Sequence, residues 1–277
     1  MRNSPRLKIS LFVAVSLGLS PLLAGCSGSV APDRGLRTSS LRANTGLASA
    51  PPRKAKPSEA LDHSKNFDVH GIDVSKYQGD IDWQAVADSG VKFAFIKASE
   101  GGDRADPKFP QNWAGARAAG IPRGAYHFVY WCRPWQEEMA WFERNAPVEA
   151  DSLPPVLDVE ATPESQTCKK VLYPQETVAT MRLMLERMER HYGKRPIIYS
   201  TVDFYEAILS DGALSEYPIW VRSTKHHPNV RYGNRKWHFW QYQSDGTVPG
   251  IATAVDRNAF HGSAGEWKRW VTAQTGE

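Results

Sequence analysis

Cysteine is scarce in this 277-residue chain: there are three, and none sits in a CxxC pair or a histidine-rich cluster. That removes the ligand spacing a structural zinc site needs. A membrane-spanning run is also missing. The leading apolar stretch, ISLFVAVSLGLSPLL, is short and broken by Ser, Gly and Pro, so it does not cross a bilayer comfortably. A basic body is missing too, although the formal charge is +4. Residues 1–26 carry +3, residues 27–66 hold seven Lys/Arg against three Asp/Glu (+4), and residues 67–277 hold twenty-four against twenty-seven (−3). The positive balance lies outside the body, so nucleic-acid binding loses its electrostatic argument. No long internal repeat or low-complexity segment interrupts residues 67–277.

What is present begins with an export signal. Arg2, Arg6 and Lys8 precede the apolar run, and residues 1–26 read as a signal peptide. It ends LAGC, which resembles the lipobox of bacterial lipoproteins and would make Cys26 the lipidated N-terminus. Ser27 resembles the sorting state of outer-membrane lipoproteins, so a lipid-anchored protein facing the periplasm is expected, tied to the membrane by that anchor. Residues 27–66, with SGSVAP and ASAPPRKAKP, have almost no large apolar side chains and read as a disordered tether. With Cys26 set aside, Cys132 and Cys168 remain as an even pair in an oxidising compartment, and a disulfide between them is expected.

The body, residues 67–277, alternates β-rich runs with helical stretches and reads as an α/β fold on a largely parallel sheet. The runs are DVHGIDV, VKFAFIK, GAYHF, PPVLDVE, RPIIYS, YPIWVR, WHFWQYQ and TAVDRN. Helices are expected over 82–89, 109–119 and 174–192, stopped by Gly90, Gly120 and Gly193. Polar groups close each run: Asp73, Lys97 with Glu100, His127, Asp158 with Glu160, Tyr199, Arg222, Gln241 and Asp256. In a barrel of parallel strands those ends share one rim. Eight runs within the 211 residues 67–277 fall short of the ~250 residues of a regular barrel, so an irregular TIM-like (β/α) barrel with some helices missing is expected.

Chemistry concentrates in PPVLDVEATP. Side chains alternate along a strand, so Asp158 and Glu160 face the same way, with Cα atoms about 6.5–7 Å apart. Two carboxyls in an enclosed cleft raise each other's proton affinity, and one can stay an acid while the other ionises. Glycosidic cleavage needs that division of labour; a solvated pair capping a loop is the alternative. Tyr77, Tyr126, Trp131, Tyr199, Trp220, Trp240 and Tyr242 offer rim-side faces for sugar stacking. Trp83, Trp113, Trp141 and Trp267 fall in helices and read as packing. His127 is expected to touch substrate or orient a carboxylate, and Lys97–Glu100 to fix a loop by an ion pair.

The blocks HGIDVSKYQGDIDW, VKFAFIKASEGG, GAYHF, PPVLDVE, PIIYS and FWQYQSDGTVPGIATAVDRN, in this order, resemble glycoside hydrolase family 25, the Chalaropsis-type muramidases. The resemblance spans Val69 to Trp270. It implies a flattened, irregular β/α barrel and, over residues 67–277, a catalytic domain that cleaves the β-1,4 bond between N-acetylmuramic acid and N-acetylglucosamine in peptidoglycan glycan strands. It also implies Glu160 as proton donor, Asp158 as its partner carboxylate, and Asp73 and Asp256 completing a four-acid cleft. Tyr77, Tyr126, His127, Tyr199, Trp220, Gln241 and Tyr242 are expected around the substrate. No cofactor, metal or nucleic acid is called for, and a monomer is expected. Asp158 is either the nucleophile or the stabiliser of an oxazolinium ion formed by the substrate's own acetamido group, with inversion left open. The rivals are an N-acetylglucosaminidase or chitinase-like glycosidase, a non-catalytic peptidoglycan-binding lipoprotein, and a metal hydrolase using His70, His127 or His238. Arg104 stands where the family usually carries an aromatic residue. Arg222, His226 and His227 are expected to be solvated loop residues.

Overall fold

The computed structural model describes residues 58–162 and 165–276. The signal residues, Cys26 with its expected lipid, and tether residues 27–57 lie outside the described residues. The end of the expected tether is corrected: Glu59–Ser64 forms helix α1, and the Ser58 side chain accepts a hydrogen bond from the Leu61 amide to cap it. Ala60 is buried, and its amide donates to the Lys225 carbonyl at 3.2 Å. Composition concealed this docking, because only Ala60, the partly buried Leu61 and the His226–Glu59 pair at 2.9 Å hold an otherwise polar turn.

Each of the eight runs becomes a strand: β1 (His70–Val74), β2 (Ala94–Glu100), β4 (Arg123–Phe128), β5 (Val156–Val159), β6 (Ile197–Ser200), β7 (Ile219–Arg222), β8 (Phe239–Gly246) and β9 (Val255–Phe260). A two-residue β3 (Arg104–Ala105) folds back on β2. The eight longer strands close a barrel in chain order, with β9 returning to pair with β1. Neighbours in the barrel run parallel except at β9, which is antiparallel to both β8 and β1.

The helical layer is uneven. It comprises α2 (Trp83–Asp88), α3 (Phe109–Ala118), α4 (Trp135–Asn145), α5 (Pro174–Tyr192), the single turn α6 (Val202–Phe204) running into a π-helical turn at Tyr205–Leu209, α7 (Pro228–Tyr232) and α8 (Ala264–Thr275). No helix separates β8 from β9. The longest, α5, starts where Pro174 needs no amide donor and stops where Gly193 takes φ +65°. Met181, Leu185 and Met188 form its buried face.

Strand alternation sorts the core into two layers. Ile72, Val74, Ile96, Leu157, Val159, Ile198, Ile219, Val221, Trp240 and Tyr242 point outward and pack beneath the helices. Phe95, Val156, Ile197, Tyr199, Trp220, Phe239 and Phe260 fill the barrel interior. Phe95 stacks on Trp220 with centroids 4.7 Å apart. Gly124 leaves room for that ring: a Cβ there would meet Phe95 at 2.8 Å. Trp267 of α8 closes the end opposite the functional rim, packing at 5.2 Å on Phe93 and 5.1 Å on Phe260. With one end plugged by aromatics, substrate can enter only from the rim.

Candidate active site

A cleft of about 300 Å³ opens at that rim. The inward side chains of successive strands build it: Asp73 from β1, Lys97 from β2, Tyr126 and Phe128 from β4, Asp158 from β5 and Glu160 just past its end, Tyr199 from β6, Trp220 and Arg222 from β7, Gln241 from β8 and Asp256 from β9. Tyr77 is exposed at the lip, on a 3₁₀ turn (Lys76–Gln78) secured by a reciprocal Ser75–Gln78 capping box.

Beneath the acids lies a continuous hydrogen-bond network. Asp73 Oδ2 accepts from Gln241 Nε2 at 2.9 Å and from Asn258 Nδ2 at 2.7 Å. The Tyr199 hydroxyl donates to Gln241 Oε1 at 2.9 Å, and Trp220 Nε1 donates to Asn258 Oδ1 at 2.8 Å. Tyr199, Trp220 and Gln241 thus line the cleft floor but commit these polar groups to aiming Asp73. Glu160 is fixed through its backbone, whose carbonyl accepts from Trp131 Nε1 at 2.9 Å. The adjoining Cys132 is bonded to Cys168, with Cα atoms 5.6 Å apart, and ties the loop after Glu160 to the β4–α4 connection.

The four acids form two proton-sharing pairs. Burial, reinforced by the neighbouring Glu160 charge, raises the Asp158 carboxyl well above its ordinary range. Glu160 is also raised by burial, with Arg222 opposing the rise. A side-chain hydrogen bond joins the two, and it favours the proton on Asp158. Among the described residues Asp158 Oδ1 has no hydrogen-bond partner, so its charged form lacks the donors that would offset desolvation. In the second pair, burial lifts Asp73 to about 6 against the donors Asn258 and Gln241. Asp256 is pushed to about 8 by burial and then by the Asp73 charge. Near neutral pH Asp256 keeps its proton and donates it toward an ionised Asp73.

Alternation also separates residues that the sequence reading had grouped. His127 follows the inward Tyr126 and therefore points outward; it is fully buried, with Nδ1 2.9 Å from Ser99 Oγ and Nε2 3.1 Å from Glu138. Tyr242 follows Gln241 by one and points outward, its hydroxyl 3.1 Å from His70 Nδ1. Neither touches the cleft, and both expected substrate contacts are withdrawn. Trp240 likewise lies outside, donating to the Ser223 carbonyl, and Trp131 packs behind Glu160 rather than facing sugar. His70 and His238 also lie outside the cleft lining. Lys97 does pair with Glu100, at 2.9 Å, but its ammonium also faces the cleft. Arg104 joins that pair at 3.2 Å from Glu100.

Two participants went unassigned in the sequence. Arg222 was expected to close the YPIWVR run at the rim but was read as a solvated residue without a role; it ends β7 and lines the cleft. Asn258 was not singled out, although it follows Asp256 by two on one strand and shares its face; the β9–β1 pairing then places it under Asp73. His226 and His227 stand outside the cleft, one against Glu59 and the other accepting from the Asn229 amide.

Residues 72–251 match the family described as "Glycosyl hydrolases family 25". The uncharacterized protein YegX of Escherichia coli K12 is 38% identical over 213 residues, 74% of each chain. Lysozyme M1 of Streptomyces globisporus is 32% identical over 270 residues, 92% of this chain and 87% of its own. Among solved structures, a family 25 glycosyl hydrolase from Bacillus anthracis superposes with a TM-score of 0.67 at 35% identity, covering 74% of this chain and 94% of that one. A bacterial lysozyme from Streptomyces coelicolor gives 0.67 at 33% identity, covering 75% and 97%.

Proposed function

The chain belongs to glycosyl hydrolase family 25, and on that premise we propose that it is a muramidase, cleaving the β-1,4 bond between N-acetylmuramic acid and N-acetylglucosamine in peptidoglycan. The observation that carries the reading is the Asp158–Glu160 pair, a buried and a half-buried carboxyl that interact and are aimed into one rim cleft. Glu160, the less buried of the two, protonates the leaving oxygen. The pair holds a proton, resting on Asp158; when Asp158 ionises beside the sugar, the proton passes along their hydrogen bond to Glu160, which delivers it. Glu160, now a carboxylate, later takes a proton from the attacking water.

The depth and raised proton affinity of Asp158 support substrate assistance over direct attack. A nucleophile must be ionised beforehand and must reach the anomeric carbon. A stabiliser needs only to become charged as the oxazolinium forms, in a water-poor site where that charge acts strongly. The Asp73–Asp256 pair then holds water or the acetamido group. Digestion of purified peptidoglycan tests the reaction. Reducing N-acetylmuramic acid ends are expected from the wild type, with about a 10²–10⁴-fold slower rate for Glu160→Gln. Reducing N-acetylglucosamine ends would make the protein a glucosaminidase, and an inverted anomer formed first would overturn both retaining routes.

We propose, further, that the chain works in the cell envelope, exported by residues 1–26 and anchored through Cys26. The LAGC sequence supports this, and Cys26→Ala should move the protein from the membrane fraction to the soluble one. An unchanged distribution would reject the anchor.

A further inference from the structure

The cleft holds two cations, and they differ in one respect. Around the barrel, the Asp158–Glu160 pair stands on β5 and the Asp73–Asp256 pair on β1 and β9. Each wall between the pairs carries one cation: Lys97 on β2 along one side, Arg222 on β7 along the other. Lys97 is already occupied by Glu100 at 2.9 Å. Among the described residues, the Arg222 side chain donates no hydrogen bond and joins no ion pair, while its backbone carbonyl is held by the Tyr232 hydroxyl at 2.8 Å. A half-buried guanidinium thus faces the cleft with its donors unfilled and its strand end fixed.

A fork of unfilled donors fits a planar two-oxygen acceptor. The proposed substrate carries one such group that a plain N-acetylglucosamine polymer lacks, the carboxyl of the 3-O-lactyl ether on muramic acid. It is a free carboxylate where the stem peptide has been removed and an amide carbonyl where the stem remains. In a cleft with four acids, a free carboxylate needs a local cation to be admitted. Resting on the muramidase reading, we propose that Arg222 binds the lactyl carboxyl of the muramyl residue and selects muramyl strands over strands of N-acetylglucosamine alone.

A soluble muramyl tetrasaccharide with free lactyl carboxylates, compared with its methyl ester, tests this with wild-type protein, Arg222→Gln and Arg222→Lys. The expected result is that the wild type prefers the free acid by about tenfold or more in kcat/KM, the range of a charge-assisted hydrogen bond. That preference should collapse in Arg222→Gln and return only in part in Arg222→Lys, which keeps the charge without the fork. An equal loss on both substrates, with the preference intact, would overturn the inference, as would a shifted pH–rate profile with unchanged preference, which would make Arg222 only an electrostatic partner of the acids. Wild-type protein that cleaves neither form would overturn the muramidase reading itself, and the inference with it. Matching thermal unfolding of the three proteins verifies that each is folded.

Discussion

Asp256→Asn should stabilise the protein while impairing it. In the fold the Asp256 carboxyl is pushed from its ordinary 3.8 to about 8. A group whose folded pKa is raised favours the folded state only while both states are protonated; that advantage erodes as pH climbs from the unfolded value through the folded one. At pH 7 the unfolded chain has released the proton that the cleft retains, a penalty of roughly 4 kcal/mol at 1.36 kcal/mol per unit over about 3.2 units. Asp256 is only partly buried and shares its proton with Asp73, so about half of that, ~2 kcal/mol, is the gain to expect from a neutral isostere. Asparagine keeps a donor toward Asp73, so the hydrogen bond need not be lost. Urea unfolding at pH 4, 5.5, 7 and 8.5 measures it. The gain should be near zero at pH 4, grow through neutrality and level off above about pH 8, while activity on peptidoglycan falls. A pH-independent gain, or a loss of stability at pH 7, would refute the reasoning.

Replacing both Cys132 and Cys168 by serine opens a loop of sequence separation 36 and should cost roughly 4 kcal/mol on loop entropy; an unchanged urea midpoint would contradict it. Trp131→Phe removes the donor to the Glu160 carbonyl. It should lower kcat with little change in KM and cost about 1 kcal/mol of stability; a KM effect with intact kcat would place Trp131 at the substrate instead.

How much of this was legible depended on whether a feature was local. Helix α5 could be read from Pro174, Gly193 and the apolar spacing between them, because start, face and stop all lie within one segment. Asp158 and Glu160 were legible for the same reason, one strand and one alternation. The same alternation, applied to adjacent pairs, would have separated Tyr126 from His127 and Gln241 from Tyr242, since neighbours on a strand cannot face one cleft. The direction of β9 also had a signal. Only residues 247–254 separate β8 from β9, too few for the crossover a parallel pair requires. Asn258 had one as well, since it stands two residues after Asp256 on the same strand and so shares its face; the docking of α1 had none, because it depends on partners far along the chain.

The reversed strand is what gives the cleft its second acid pair. In the antiparallel pairing Asp73 is opposite Asp256, and Ile72 opposite Arg257. Asp256 is the second residue of β9, so an antiparallel strand starts at the rim where the other strands end. Run parallel, β9 would carry its first residues to the plugged end, beside Trp267, and Asp256 would be buried far from Glu160. Two different geometries therefore build the two carboxyl pairs: spacing along one strand for Asp158 and Glu160, register across two strands for Asp73 and Asp256. The first pair can follow from local sequence alone. The second exists only once the barrel closes, so a change that shifted β9 by one residue would turn Asp256 outward and leave Asp158 and Glu160 in place. Such a slip would turn Asn258 and Phe260 outward as well, so the variant should lose the groups proposed to hold water or the acetamido arm together with part of the aromatic packing on Trp267, and its defect should fall on stability as well as on turnover.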